Sequence, residues 1–76
     1  MTTRAVLGFD TGFFVRLLDR HPEATAVWHS VGAGESDAVV SCLTLYELRR
    51  LALKGALSPP VVDGLLAELP HVCQVV

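Results

Sequence analysis

The sequence predicts an α/β domain in which a parallel three-stranded sheet alternates with paired crossover helices, in the order β-αα-β-αα-β. Three short apolar runs, rich in β-branched residues, occur at residues 5–9, 38–42 and 72–76. The first two lack polar alternation, which is typical of parallel strands buried on both faces. Helical periodicity fills both intervals, and a strand followed by a crossover and another strand favours a parallel sheet with right-handed connections.

Four apolar stripes at helical spacing predict four helices, two in each interval between the strands. Pro22 suits the first turn of the second helix, and Gly55 suits the C-terminal cap of the third. Ser58 and Pro59 open the fourth helix, and Pro70 is expected to stop it. The stripes consist of Phe13, Phe14, Leu17 and Leu18; Ala24, Val27, Trp28 and Val31; Leu45, Leu48, Leu51 and Ala52; and Val61, Val62, Leu65, Leu66 and Leu69.

The composition is that of a small folded domain rather than a disordered chain. Of the 76 residues, 51% are hydrophobic, and the mean hydropathy is +0.48. Disorder requires low hydrophobicity and high charge, so it is excluded. A domain of this size buries only about 60% of the surface of its unfolded chain. So much apolar surface on so short a chain therefore predicts that either a partner or further sequence covers part of it.

Charge and hydropathy restrict the remaining classes of protein. The net charge of −2 and the pI of 5.8 give no broad basic surface, and the basic cluster of Arg49, Arg50 and Lys54 leaves only a local patch open. No secretory signal is visible and no uncharged run could span a bilayer, so we expect a cytoplasmic protein without a membrane segment. Cys42 and Cys73 lack metal-ligand or disulfide spacing and are interpreted as buried thiols.

Two carboxylates follow the first two predicted strands, in otherwise apolar surroundings. Asp10 comes directly after the first strand, and Glu47 comes shortly after the second. Because the carboxyl ends of adjacent parallel strands open onto the same edge of a sheet, we expect both side chains to face one cleft. Mg²⁺ prefers oxygen ligands and keeps several waters, so one or two carboxylates can bind it. Such an ion would orient a phosphodiester and activate water.

Structural roles stay open for the same residues. Asp10 suits the N-cap of the first helix, where the helix dipole favours negative charge. Thr44 and Glu47 have the spacing of a capping box at the start of the third helix. Thr11 and Ser41, near the strand ends, equally suit local hydrogen bonds to the backbone. The basic cluster is typical of a solvated helix face, with contact to phosphate as the alternative.

Two segments resemble the PIN domain family, α/β nucleases that depend on metal and include the VapC-like toxins of toxin–antitoxin pairs. VLGFDTGFFVRLL, residues 6–18, resembles the family's opening: an apolar strand, an aspartate, a threonine or serine, and an apolar helix. AVVSCLTLYELRRLALKG, residues 38–55, resembles its second block, in which Glu-Leu follows a strand that ends in serine. The second segment is the more specific, and the order and spacing of the two strengthen the resemblance.

The resemblance implies a hydrolase, namely an endoribonuclease of the toxin type that depends on Mg²⁺ or Mn²⁺ and takes RNA as substrate. Asp10 and Glu47 would be its catalytic, metal-binding acids. Thr11 would support Asp10 by hydrogen bonding, and Ser41 would be a further supporting residue. An antitoxin protein is the partner that the resemblance implies, beside a homo-oligomer.

Members of the family continue beyond this length, with a third acid at the start of a later helix and often a fourth. Asp63 and Glu68 do not fit that pattern, so the resemblance covers the amino-terminal half of a PIN domain, and the 76 residues are expected to form one incomplete domain. We therefore expect weakly held metal and no activity from this chain alone, with Arg49 or Arg50 as phosphate contacts. The alternative function is a non-catalytic α/β module that self-associates or binds an antitoxin-like partner.

Overall fold

The structure is a computed structural model that describes residues 5–76 of the chain. Strands and helices alternate in the order that the sequence predicts, with two helices in each interval between strands. The elements are β1 (Val6–Phe9), α1 (Thr11–Leu18), α2 (Pro22–Gly32), β2 (Asp37–Val40), α3 (Cys42–Leu53), α4 (Pro59–Val72) and β3 (Gln74–Val75).

The three strands form one parallel sheet in the order β1-β2-β3, so that β2 is central. β1 and β2 are paired along their whole length, from Val6 opposite Asp37 to Phe9 opposite Val40. β3 adds only two residues to the other side of β2. The prediction of an α/β domain with a parallel three-stranded sheet and four helices is thus confirmed.

The last strand is shorter than the sequence predicts, because α4 runs past Pro70 to Val72. Proline lacks the backbone N–H and crowds the preceding turn, which is why a stop was expected there. Only two helical residues follow Pro70, and the Cys73 N–H closes the last turn on the Leu69 carbonyl at 2.8 Å. The expected stop at Pro70 is therefore wrong, and the extended backbone begins at Cys73.

The sheet is covered on one face, whereas the apolar runs predicted burial on both. Exposure alternates along β1: Val6 is 64% exposed and Gly8 is exposed, whereas Phe9 is 8% exposed. Two right-handed crossovers that step in the same direction, from β1 to β2 and from β2 to β3, place both helix pairs on the same side. The opposite side therefore stays bare within residues 5–76, and double-sided burial is wrong for this part of the chain.

Aromatic packing holds α1 and α2 against the end of β1. Phe9 stacks on Phe13 with ring centroids 4.0 Å apart, and Phe14 meets Phe9 edge-on at 5.8 Å. Trp28 of α2 lies 5.9 to 6.5 Å from all three rings. Because Phe9 and Phe13 flank Asp10 and the start of α1, this cluster fixes the turn from strand to helix.

The helix ends that the sequence predicts by cap chemistry are mostly confirmed. Pro22 begins α2, and Gly55 follows the end of α3 with a φ of +80°, a conformation that glycine adopts without strain. Ser58 precedes α4 as predicted, although its side chain makes no cap hydrogen bond. Among residues 5–76, no helix is long and apolar enough to cross a bilayer.

Candidate functional site

The carboxyl ends of β1 and β2 meet at one edge of the sheet. Phe9 and Val40 are register partners, so Asp10 and Ser41 leave the sheet side by side. Each begins a helix: Asp10 is the N-cap of α1, and Ser41 is the N-cap of α3. The residues that the sequence places at the strand ends are therefore neighbours in the fold.

Asp10 caps α1 through one carboxylate oxygen. Its backbone is extended, with φ −105° and ψ 177°, and its Oδ1 accepts a hydrogen bond from the Phe13 N–H at 2.8 Å. The guanidinium of Arg16 and this oxygen border the same space, because each lies 3.5 Å from the position that a Cβ on Gly12 would take. The capping role of Asp10 is thus confirmed, and Oδ2 is left for another partner.

Ser41, not Thr44, caps α3. The Ser41 hydroxyl accepts from the Leu43 N–H at 3.1 Å, and the helix begins at Cys42. Thr44 therefore lies within the helix and is only 7% exposed. The capping box of Thr44 and Glu47 is wrong, because the serine at the end of the strand starts the helix three residues earlier than that spacing assumes. Glu47 is free of capping and lies exposed on the second turn.

Glu47 instead reaches across to the start of α1. The hydroxyl of Thr11 donates a hydrogen bond to Glu47 Oε2 at 3.0 Å, between residues 36 positions apart. The resemblance implied that Thr11 supports Asp10, but the Thr11 hydroxyl is committed to Glu47. Thr11 is the first residue of α1 and directly follows Asp10, so this bond brings the carboxylate of Glu47 to the side of the sheet edge where Asp10 lies.

The oxygen atoms at this edge suit a hard divalent cation. Asp10 Oδ1 and Glu47 Oε2 are engaged with the protein, whereas no hydrogen bond from residues 5–76 reaches Asp10 Oδ2 or Glu47 Oε1. Mg²⁺ binds through one or two carboxylates and keeps water on its remaining positions. No three histidine, cysteine or acidic side chains are grouped for a metal within the part of the chain that the structure describes. Two carboxylates fit a weak, mostly hydrated site.

The basic cluster divides between two sides of α3. Arg49 forms a salt bridge with Asp63 of α4, so its charge is balanced by a neighbouring helix. Arg50 and Lys54 instead border a surface concavity of about 200 Å³, together with Glu47 and Leu51. Of the two arginines proposed for phosphate contact, only Arg50 shares a surface with Glu47.

One further residue near the site was missed by the sequence interpretation. Arg16 and Asp10 Oδ1 border the same space next to Gly12, at the start of α1. Helical spacing could have found Arg16, because it is four residues after Gly12, which places the two on one helix face. The signal was present, but nothing in the sequence said which helix face meets the sheet edge.

The two cysteines differ in environment. Cys73 is 5% exposed, as expected, and burial raises the pKa of its thiol because desolvation disfavours the thiolate. Cys42 is exposed, which contradicts the interpretation of two buried thiols. It is the first residue of α3, and its N–H donates to the Val76 carbonyl at 2.9 Å, so its backbone is held while its side chain faces solvent.

Comparisons with protein-family models, with curated proteins and with solved structures found no match to this chain. The observations that bear on its function are therefore its own: the paired strand ends, the Thr11–Glu47 hydrogen bond and the basic residues that share a surface with Glu47.

Proposed function

We propose that this chain is the acid-bearing part of a PIN-like endoribonuclease of the toxin type, which depends on Mg²⁺ or Mn²⁺. The observation that carries the proposal is the hydrogen bond from Thr11 to Glu47. It joins the residue after Asp10 to an acid on a different helix, so that carboxylates far apart in sequence come to one edge of the sheet. A capping box would have held Glu47 at its own helix instead.

Asp10 and Glu47 would hold the cation through Oδ2 and Oε1. Each carboxylate is fixed through its other oxygen, Asp10 by the Phe13 N–H and Glu47 by the Thr11 hydroxyl, so neither has to be ordered when the ion binds. A bound divalent ion supplies Lewis-acid polarisation of a phosphodiester and an activated water. Arg50, on the same surface as Glu47, would hold a phosphate of the RNA backbone.

Calorimetric titration with Mn²⁺ tests the site. Wild-type protein should give a small binding heat, because two carboxylates leave most of the coordination shell to water. Asp10→Asn and Glu47→Gln should each remove it, since each loses an anionic ligand. The matched control is Asp19→Asn, an exposed aspartate at the other end of α1, which should leave the heat unchanged. Tight binding of Mn²⁺ that survives Asp10→Asn would show that residues other than Asp10 hold the ion.

RNA cleavage is followed in the same samples with a labelled single-stranded RNA. Any cleavage by this chain should need Mn²⁺ and should be abolished by EDTA and by Asp10→Asn. Cleavage that persists under either condition would contradict a metal-dependent reaction at Asp10.

Exposed apolar side chains on the sheet and on α3 favour a second candidate, a non-catalytic module that binds another copy or an antitoxin-like protein. Val6 and Val76 are each 64% exposed, and Leu43 and Leu53 on α3 are 69% and 80% exposed. Apolar surface of this extent marks interfaces when it is contiguous. The two candidates separate in the calorimetric experiment, because an interaction module has no reason to bind Mn²⁺ through both Asp10 and Glu47.

A further inference from the structure

One exposed face of α3 carries an aromatic ring followed by two cations. Tyr46, Arg50 and Lys54 are spaced four residues apart, so they lie one above another along the helix. Tyr46 is 73% exposed, an unusual position for a large ring in so small a domain. We call these three residues the α3 strip. Its ends lie eight positions apart, which is about 12 Å at 1.5 Å per residue.

The α3 strip adjoins the candidate metal site. Arg50 and Lys54 border the concavity that also contains Glu47, and Glu47 directly follows Tyr46 in the chain. Arg49, one position earlier than Arg50, is turned away to Asp63 on α4. The strip is therefore a defined face of α3 and not a general property of its basic cluster.

An aromatic ring beside two cations that form no salt bridge within the described residues suits single-stranded nucleic acid. Bases without a pairing partner stack on aromatic side chains, and Lys or Arg beside the ring neutralises the phosphates. The exposed Leu43 and Leu53 on the same helix would suit a protein partner, but they give no reason for Arg50 and Lys54, which form no salt bridge within residues 5–76. The acid in their concavity, Glu47, is instead hydrogen-bonded to Thr11. Charge complementarity therefore favours a polyanion.

We propose that the α3 strip binds single-stranded RNA, with a base stacked on Tyr46 and the backbone phosphates on Arg50 and Lys54, and leads the strand to Glu47. The proposal rests on the function proposed above and adds the RNA-binding surface beside the acids. Duplex RNA is a poor ligand for this strip, because its bases are stacked on each other and give no free face to Tyr46.

Binding of a fluorescein-labelled oligouridine is measured by fluorescence anisotropy in EDTA, so that no metal is bound and no cleavage occurs. Tyr46→Ala should weaken binding about tenfold, the effect of losing one stacked base. Arg50→Gln and Lys54→Gln should each lower the salt dependence of log K by about 0.7, the value for one phosphate contact with a single strand. The matched control is Arg49→Gln, which should bind RNA as wild type does.

The readouts separate the strip from other roles of the same residues. Cations near the C-terminal end of a helix also stabilise it through the helix dipole, so the thermal unfolding of each variant is measured as well. If Arg50 and Lys54 had only this structural role, their substitution would lower the stability of the protein and leave the salt dependence of RNA binding unchanged. Absence of RNA binding by the wild type, equal losses in Arg49→Gln and Arg50→Gln, or equal affinity for duplex RNA would each overturn the proposal.

The experiments can reject the proposed RNA-binding strip and the proposed nuclease independently of each other. RNA binding in EDTA that depends on the strip, without any binding of Mn²⁺ at Asp10, would reject the nuclease and keep the strip. Binding of Mn²⁺ at Asp10 and Glu47, with RNA affinity unchanged in all three strip variants, would reject the strip and keep the metal site.

Discussion

Asp10 has two roles at the scale of the single residue, one structural and one proposed. Its Oδ1 caps α1 through the Phe13 N–H, and its Oδ2 is the oxygen that we propose as a ligand of the cation. Asparagine keeps a cap oxygen but loses the negative charge, whereas alanine loses both. Substitution at this one position can therefore separate the cap from the ligand.

Asp10→Ala should lower the free energy of unfolding by about 1 kcal/mol, the usual effect of losing an N-cap, and Asp10→Asn should lower it by much less. Urea denaturation of the three proteins measures both values. Equal destabilisation by alanine and asparagine would mean that the charge of Asp10, and not its hydrogen bond, stabilises α1.

The thiols should react at very different rates. Exposed Cys42 should be modified quickly by a disulfide reagent at pH 8, and Cys73 only on unfolding, because it is buried and its raised pKa keeps it protonated. Cys42→Ser should remove the fast phase. Two thiols of equal reactivity would contradict the buried position of Cys73.

The raised pKa of Cys73 also predicts in which direction the stability of the protein changes with pH. Its pKa in the folded state lies above the value in the unfolded chain, so the folded state holds the proton longer. The stabilising effect is complete below the unfolded pKa, about 8.5, and is lost as the pH rises through the folded value. The free energy of unfolding should therefore fall in alkaline solution, and Cys73→Ala should flatten that fall.

At the scale of the helix, two glycines should respond in opposite directions to the same substitution. Gly64 lies exposed within α4, and Gly55 follows α3 with φ +80°. A Cβ at either position meets no atom within 4 Å, so only the backbone differs. Gly64→Ala should raise the free energy of unfolding by about 1 kcal/mol, and Gly55→Ala should lower it by a similar amount. Thermal unfolding measures both, and a shift in the same direction for both variants would contradict the left-handed end of α3.

The sequence predicted the existence and order of the elements better than their contacts. Apolar stripes and cap residues are local signals, and they placed all four helices. Which of two nearby hydroxyls starts α3 depends on where β2 ends, so Ser41 displaced Thr44 as the cap. Likewise, the pairing of Thr11 with Glu47 depends on how α1 and α3 meet, which no local pattern contains.

At the scale of the whole molecule, the open side of the sheet predicts self-association. Phe13 and Phe14 do not contribute to such an interface, because these rings are 6% and 0% exposed in the core. β1 is an edge strand in the sheet of residues 5–76, and its Val6 is 64% exposed. An apolar edge strand with unpaired backbone groups invites the addition of another strand.

Sedimentation equilibrium at micromolar concentration should show a dimer or larger assembly. Val6→Lys should shift it toward monomer, because a lysine on an edge strand opposes strand pairing. Val61→Lys is the matched control, since Val61 is 50% exposed and lies on α4 and not on a strand. A wild-type monomer whose unfolding does not depend on concentration would show that the described residues close their own core.

The double-sided burial expected for the strands was wrong for a related reason. An apolar run indicates that a strand meets apolar surroundings, but it does not say what covers each face. The helices within residues 5–76 cover one face, and Val6 and Val76 remain on the surface. Which face the helices cover depends on the direction in which successive crossovers step across the sheet. That direction is known only once the order of the strands is known.

The central claim is that Asp10 and Glu47 bind one cation together. Paramagnetic broadening of backbone amide signals by a small, substoichiometric amount of Mn²⁺ tests it most directly, because it detects weak sites and locates them. The amide signals of Thr11 and Glu47 should broaden first and in parallel, although they lie 36 residues apart, and Asp10→Asn should suppress both effects. Broadening of only one of these segments, or broadening centred on another acid such as Glu23, would contradict the shared site.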